Sequence, residues 1–372
     1  MAISRSAALV LHRWNGAALR ARSLTTSMAI SRSAALVLGR RRLVTRAAVC
    51  EAFGAPVVVR DDWALPPLAP TSVHVRCEAA GLNFAEALQL KGEYQEKLEP
   101  PFVPGNECAG VVVAVGAAVS RCAVGDAVLA LPRGGAWARD VVVPEAAVAP
   151  LGNGDDVDFA SAAALAVNYG TADLALGRRA DAKAGETVLV TAAAGGVGLA
   201  AVDLAVARGC RVVAAAGDDA KLRLALDRGA AAGVVYGGAD AREFRDALRE
   251  AAPEGIDVAV DMVGGDFLEP IVRSLAFDGR CVVVGFASGT IPKIPANLLL
   301  VKNCALVGLF WGAHAIHRPA VFADSLRNVV GLWRSGDIAP HVSATYALAD
   351  ADAAVAALVE RRSSGKIVLA AA

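Results

Sequence analysis

The run Glu186-Thr-Val-Leu-Val-Thr-Ala-Ala-Ala-Gly-Gly-Val-Gly198 holds the residues whose types and spacing point most directly to chemistry. A β-branched, apolar stretch breaks into three glycines and continues as Leu199-Ala-Ala-Val-Asp-Leu-Ala-Val-Ala-Arg208, which reads as strand, tight turn and helix. Gly195 lacks the Cβ that would hold a pyrophosphate off the backbone, Gly198 lets helix and strand approach, and the helix N-terminus offers unpaired N–H groups to the anion. Ala194, Gly195, Gly196 and Val197 are therefore candidate dinucleotide contacts. Ala193 occupies the place of the first glycine in G-x-G-x-x-G, and a ligand-free β-to-α turn has the same texture, so the surrounding elements must decide.

Those elements recur on a regular spacing. Thr187 to Thr191, Arg211 to Ala215, Val234 to Tyr236, Ile256 to Asp261, Arg280 to Gly285 and Cys304 to Gly308 read as strands with room for one helix between neighbours. The predicted class is α/β with a doubly wound, six-stranded parallel sheet of the Rossmann type, and the glycine turn falls on its first strand, where the dinucleotide reading requires it. Ahead of this lie Ser72-Val-His-Val-Arg-Cys-Glu78, Cys108 to Val115, Ala127 to Leu131 and Ala138 to Pro144, with one small helix near Phe84 to Leu90. Short strands of irregular spacing predict a compact β-barrel-like domain. The expected divisions are residues 1–46 as a basic arm, 47–168 as the barrel domain, 169–308 as the dinucleotide domain, and 309–372 as a return to the barrel.

Composition narrows the function classes. The 372-residue chain is 55% hydrophobic and 20% charged, which suits two packed domains, and its longest apolar runs break well before the roughly 20 residues of a membrane span. Net charge is zero, yet residues 1–46 contain nine arginines and no acidic residue, leaving the remainder acidic and disfavouring a nucleic-acid partner. Within the arm, Met1-Ala-Ile-Ser-Arg-Ser-Ala-Ala-Leu-Val-Leu11 recurs identically as Met28 to Leu38, which points to a duplicated presequence or an upstream start that is not used. Seven scattered cysteines without a C-x-x-C pair fit neither a disulfide framework nor a zinc knuckle, and His314 and His317 lack a third nearby ligand. No metal is expected.

Gly81-Leu-Asn-Phe-Ala-Glu86, Gly92-Glu-Tyr94, Pro104-Gly-Asn-Glu107, Val124-Gly-Asp126, Asn168-Tyr-Gly-Thr-Ala172, the 192–198 turn, Asp261-Met-Val-Gly-Gly265, Gly285-Phe286 and Gly365-Lys366 occur in one order. Together they resemble the zinc-independent quinone oxidoreductases of the medium-chain dehydrogenase/reductase superfamily. Lys91 to Lys97, Asn297 to Asn303 and Gly308-Leu-Phe-Trp-Gly312 extend the likeness to the quinone oxidoreductase-like protein 2 subgroup, over about residues 48–370. The resemblance implies a GroES-like β-barrel catalytic domain wrapped by both chain ends around the Rossmann domain, with the active site between them. Zinc-holding relatives carry Cys and His where this chain has Asn83 and Asn106, so hydride transfer is expected without a Lewis acid.

The resemblance further implies that Tyr94 and Asn83 line the acceptor pocket and stabilise the oxygen that gains charge, and that Thr171 lies near the nicotinamide. Lys221, Tyr236 and Arg362 match positions that hold a 2′-phosphate, and Lys366 matches one near the cofactor cleft. Gly217, Val263, Phe286, Ser288, Phe310 and Trp311 complete the expected cofactor set, Phe286 and Ser288 because they follow the fifth strand of the sheet at its ligand-binding edge. NADPH is the expected cofactor; Asp218 stands where relatives carry a small hydroxyl residue and would repel a 2′-phosphate, which leaves NADH open. The implied function is reduction of quinones or related conjugated carbonyls. Reduction of an alkenal or enoyl-thioester double bond and a non-catalytic NADPH-binding role are the alternatives, and the likeness suggests a homodimer.

An arginine-rich, acid-free arm resembles an organelle import signal, mitochondrial more than plastid by its arginine content, with a cytoplasmic location if the arm is unused. Residues 1–46 fused to a fluorescent protein are expected to carry it into mitochondria; plastid or diffuse cytoplasmic fluorescence would overturn that reading.

Overall fold

Alternation within the strands sets the layers. The computed structural model describes residues 43–153 and 156–371. The duplicated segment, and with it most of the basic arm, lies outside the described residues. The boundary expected at residue 46 falls inside a strand, β1 (Val44–Val49), which pairs antiparallel with β2 (Val58–Ala64). Thr45 is the physical reason: it is buried, and its Oγ1 donates to Asp140 Oδ2 over 3.1 Å while accepting from the Asp140 N–H.

The barrel domain continues through β3 (Ser72–Leu82), β4 (Cys108–Val115), β5 (Asp126–Ala130), β6 (Asp140–Pro144) and β7 (Val148–Asn153). Its core gathers Val73, Val75, Leu82, Val112, Val128 and the fully buried Trp137. The Cys77 and Cys108 Sγ atoms lie 3.3 Å apart in this core as free thiols.

The second sheet comprises β8 (Thr187–Val190), β9 (Arg211–Ala216), β10 (Ala232–Val235), β11 (Ile256–Asp261), β12 (Leu275–Val283) and β13 (Ala305–Gly308). Every pairing is parallel, in the order β10-β9-β8-β11-β12-β13. Val188 and Val190 face one apolar layer and Leu189 the other, and β9 divides Val212 and Ala214 from Val213 and Ala215 in the same way. Burial on both faces explains why these strands read as continuous apolar runs. The order reverses direction between β8 and β11, which opens the crevice at their carboxyl ends where such sheets bind ligands.

After helix Pro319–Ser335, which packs on helix Ala166–Asp173, the chain returns through β14 (Val342–Ala347) and β15 (Lys366–Ala370). β15 inserts between β14 and β3, so the final residues complete the sheet of the barrel domain.

Candidate functional site

The glycine turn shows why Ala193 replaces a glycine. The residue that adopts a left-handed backbone is its neighbour Ala192, at φ 45°, a conformation that costs a non-glycine residue about 1 kcal/mol. A Cβ on Gly198 would lie 2.1 Å from the Ala192 carbonyl oxygen and 2.8 Å from Ala193 Cα, so helix Gly196–Ala207 can approach β8 only with glycine there. A Cβ on Gly195 would meet only Ala192 O, at 3.2 Å, and otherwise project into open space. The turn therefore offers a bare backbone and a helix N-terminus to the cleft, as a pyrophosphate requires.

That cleft has a volume of about 1920 Å³. Single-ligand pockets run to roughly 1,000 Å³, so it has room for a dinucleotide and a second molecule. Its lining brings together Asn83, Tyr94, Thr171, turn residues 194–197, Gly217, Lys221, Tyr236, Val263, Phe286, Ser288, Phe310, Trp311 and Lys366. Arg362 is not part of it. Arg362 turns outward to Glu360 Oε2 at 2.7 Å, and its neighbour Arg361 lines the cleft instead, because a left-handed φ of 59° swings that side chain inward to the Ala287 carbonyl.

At the dinucleotide end, Gly217 follows β9 with nothing within 4 Å of where a Cβ would stand. Lys221 Nζ donates to the Arg361 carbonyl over 2.8 Å and lies 3.6 Å from Asp218 Oδ2. The Asp218 carboxylate caps helix Asp219–Leu226 by accepting from the Lys221 N–H, and it is not among the residues lining the cleft. Tyr236 packs its ring against Phe244 and Phe267 at centroid distances of 5.9 and 5.2 Å, and burial pushes its hydroxyl pKa up. The buried Asp261 accepts from Thr191 Oγ1 and from the Val263 and Gly264 N–H groups, which ties the loop after β11 to the end of β8. Gly264 and Gly265 leave space that Phe286 and Ser288 fill, since a Cβ on either would lie 2.6 or 2.7 Å from those side chains.

At the other end, helix Phe84–Leu90 carries Glu86 at its third position, and that carboxyl reaches back to the Asn83 N–H at 2.7 Å. It also accepts from the Asn106 N–H and from Asn106 Nδ2. A second buried carboxylate, Glu107, accepts from Lys366 Nζ, from Asn83 Nδ2 at 2.9 Å and from the Val167 N–H at 2.8 Å, the last at the start of helix Ala166–Asp173. Lys366 Nζ donates also to Asn83 Oδ1 at 2.6 Å. Thr171 and Asn168 lie buried on that same helix, and a Cβ on Gly196 would stand 2.5 Å from Asn168 Nδ2. Gly170 makes room for Trp311, whose indole N–H is buried without a hydrogen-bond partner among the described residues.

Burial, joined by the charges of Glu96 and Glu86, pushes the half-buried Tyr94 hydroxyl up to about 12, so it remains a donor at neutral pH. Its hydroxyl makes no hydrogen bond among the described residues. Burial likewise pushes Glu86 up to about 7, with Lys366 pulling against it and Glu107 adding to the rise. Arg361 is the lining residue that sequence reasoning passed over, whereas Glu86, Glu107 and Asn168 entered only as parts of matching motifs and Asn106 only as the place of a zinc ligand in relatives, with no role assigned to them. Two local signals were available: Asn83-Phe-Ala-Glu86 has the spacing of a capping box at a helix start, and Glu107 directly precedes the apolar run Cys108–Val115. Among the described residues no group of three or more His, Cys, Asp and Glu side chains is placed to hold a metal ion. Asn83 Oδ1 is taken by a lysine and Asn106 Nδ2 by a carboxyl, an arrangement that does not suit zinc coordination.

Comparison with known proteins agrees with this geometry. Residues 69–153 match the alcohol dehydrogenase GroES-like domain family and residues 196–329 the zinc-binding dehydrogenase family. The chain is 41% identical to quinone oxidoreductase-like protein 2 of Rattus norvegicus over 326 residues, covering 87% of this chain and 91% of that protein. To the quinone oxidoreductase-like protein 2 homolog of Nematostella vectensis it is 40% identical over 328 residues, covering 87% and 88%. Among solved structures it resembles the quinone oxidoreductase of Thermus thermophilus, also solved in complex with NADPH, at a TM-score of 0.75 and 35% identity, over 87% of this chain and 99% of that one.

The raised pKa of Glu86 has a consequence for stability. Its folded value near 7 exceeds the ordinary 4.5, so its contribution is fully present below pH 4.5 and is lost as pH rises towards 7. Over that window the wild type is expected to lose about 3 kcal/mol relative to Glu86→Gln, with no further divergence above it. Urea denaturation between pH 4 and pH 8 checks this, and parallel curves for the two proteins would refute it.

Proposed function

The chain belongs to the quinone oxidoreductase-like protein 2 family of the medium-chain dehydrogenase/reductase superfamily, and from that premise we propose that it reduces quinones or related conjugated carbonyls with NADPH, without zinc. The observation that carries the reading is the cleft, which joins a bare glycine turn to two uncharged hydrogen-bond donors, Tyr94 and Asn83. NADPH, when bound, supplies hydride from its nicotinamide ring.

The chain supplies the rest. The turn at residues 194–197 takes the pyrophosphate, Lys221 and Arg361 bring positive charge to the 2′-phosphate end, and Tyr236 walls that end. Thr171, Trp311 and Phe310 frame the nicotinamide end, and their largely apolar surfaces exclude water from the transfer. An acceptor oxygen gains negative charge as it is reduced; the Tyr94 O–H and the free Asn83 N–H donate to it there, where low dielectric strengthens both bonds. Amide and phenol donors suffice for an acceptor that is already electron-poor. The Asp218 carboxylate turns to its own helix instead of into the cleft, which supports NADPH over NADH.

The edge of the dinucleotide sheet supports a homodimer. β13 has no partner on its outer side among the described residues, and Leu300, Val301, Ile291 and Phe277 in the same part of the fold are 74–81% exposed. An open edge strand with exposed aliphatic side chains calls for a covering surface, and a second copy of the same edge is self-complementary. Light scattering is expected to give twice the mass of one chain, halved in Leu300→Glu/Val301→Glu. A monomeric wild type would refute the dimer.

The function itself is tested by following NADPH oxidation with 1,4-benzoquinone, a 2-alkenal and an enoyl thioester. The quinone is expected to turn over fastest, and Tyr94→Phe to lower its kcat/KM about 100-fold, the usual effect of deleting one oxyanion donor. Fluorescence titration is expected to show tighter binding of NADPH than of NADH, a preference lost in Lys221→Ala. Faster thioester turnover would overturn the acceptor class, and tighter NADH binding the cofactor preference.

A further inference from the structure

The resemblance gives Lys366 a place near the cofactor, but its ammonium points elsewhere. At 2% exposure it spends its hydrogen bonds on Asn83 Oδ1, at 2.6 Å, and on Glu107 Oε1. Glu107 in turn accepts from Asn83 Nδ2 at 2.9 Å. An ammonium can only donate and a carboxylate can only accept, so the two charges fix which end of the Asn83 amide faces which way. With Oδ1 and one N–H engaged, the one polar group of the amide left free is its second N–H.

The backbone beside Lys366 adds a second link. Gly365 donates its N–H to the Ala194 carbonyl at 2.7 Å and pairs with Gly195, so the pyrophosphate turn and Lys366 are one residue apart along β15's entry. Gly365 needs a left-handed φ of 65° to do this, and a Cβ there would stand 2.3 Å from the His341 carbonyl. The Lys366 N–H donates to that same carbonyl at 2.8 Å.

We propose that Lys366 is a positioning residue, which with Glu107 holds the Asn83 amide so that its free N–H, and not its oxygen, meets the acceptor, in register with the turn that holds the dinucleotide. This rests on the reading of Asn83 as a donor to the reduced oxygen. A flipped amide would turn a lone pair toward the developing charge and oppose the reaction instead of assisting it. Lys366 touches neither reacting atom; it acts through Asn83.

The test is a cycle of variants assayed with NADPH and 1,4-benzoquinone. Lys366→Met leaves Glu107 buried without its cation, so the charge-free Lys366→Met/Glu107→Gln is made beside it to preserve folding. Both Asn83→Ala and the charge-free pair are expected to lower kcat about tenfold while leaving the NADPH Kd, read by fluorescence, within about threefold. Adding Asn83→Ala to the charge-free pair is expected to cost nothing more, because the two act on one group. The proposal is overturned if the pair weakens NADPH tenfold with kcat intact, or if the losses multiply in the combined variant. Full kcat in Asn83→Ala would defeat the donor reading together with this proposal, whereas an impaired Asn83→Ala beside an unimpaired pair would defeat this proposal alone.

Discussion

One buried ion pair sets the register of the cleft. Glu107 is fully buried and Lys366 nearly so, and withdrawing two charges from water costs several kcal/mol per ion unless every bonding position is filled. Here they are filled from three separate parts of the chain: the end of the barrel, the start of the helix after β3, and the helix that leads into the dinucleotide domain. Side chains along a strand alternate faces, so a slip of β15 by one residue against β3 would point Lys366 away from Glu107 and strand both charges. The pair is weak evidence of added stability. It is strong evidence that only one alignment of the returning chain is tolerated.

That alignment also fixes the dinucleotide turn. Gly365 reaches Ala194 only because a glycine can take its left-handed backbone beneath His341, and Ala194 is where β8 gives way to the helix Gly196–Ala207. Strain at Ala192 is retained within the same few residues, held by the Gly198 approach on one side and by the Asp261–Thr191 bond on the other. The returning strand thus braces a turn that its own sequence leaves imperfect.

Much of the architecture was legible before any coordinates, for a physical reason. Parallel strands buried on both faces leave dense β-branched runs, and Thr187–Val190 and Ile256–Asp261 stand out as such. The arm was harder to delimit, because Thr45 lies in a strand that pairs with Trp63 and its side chain is held by a partner 95 residues away, Asp140. Arg361 and Arg362 are adjacent and alike, and only the left-handed turn after the helix Ala351–Val359 decides which one faces the cleft. Glu86 and Glu107 carried no periodic signal of their own. Their importance lies in being buried together, a property of tertiary contact that composition and spacing do not encode.

Charge balance fits the proposal that an amide and a phenol serve the acceptor in this site. Two buried carboxyl groups share one ammonium, and Lys366 bonds to Glu107, while Glu86 meets only the neutral donors of Asn83 and Asn106. Burial therefore pushes Glu86 to about 7, and in its protonated form the carboxyl, the carboxylate and the ammonium sum to no net charge. Whether Glu86 is protonated or ionised, the floor carries no net positive charge that would hold an anionic product in the ground state. Dipolar donors gain strength as charge develops on the acceptor and relax when it is gone, so their binding energy is spent on the transition state. A fixed cation facing the acceptor would bind substrate, transition state and product more nearly alike, a cost that the proposed arrangement avoids by having the lysine act through a neutral amide.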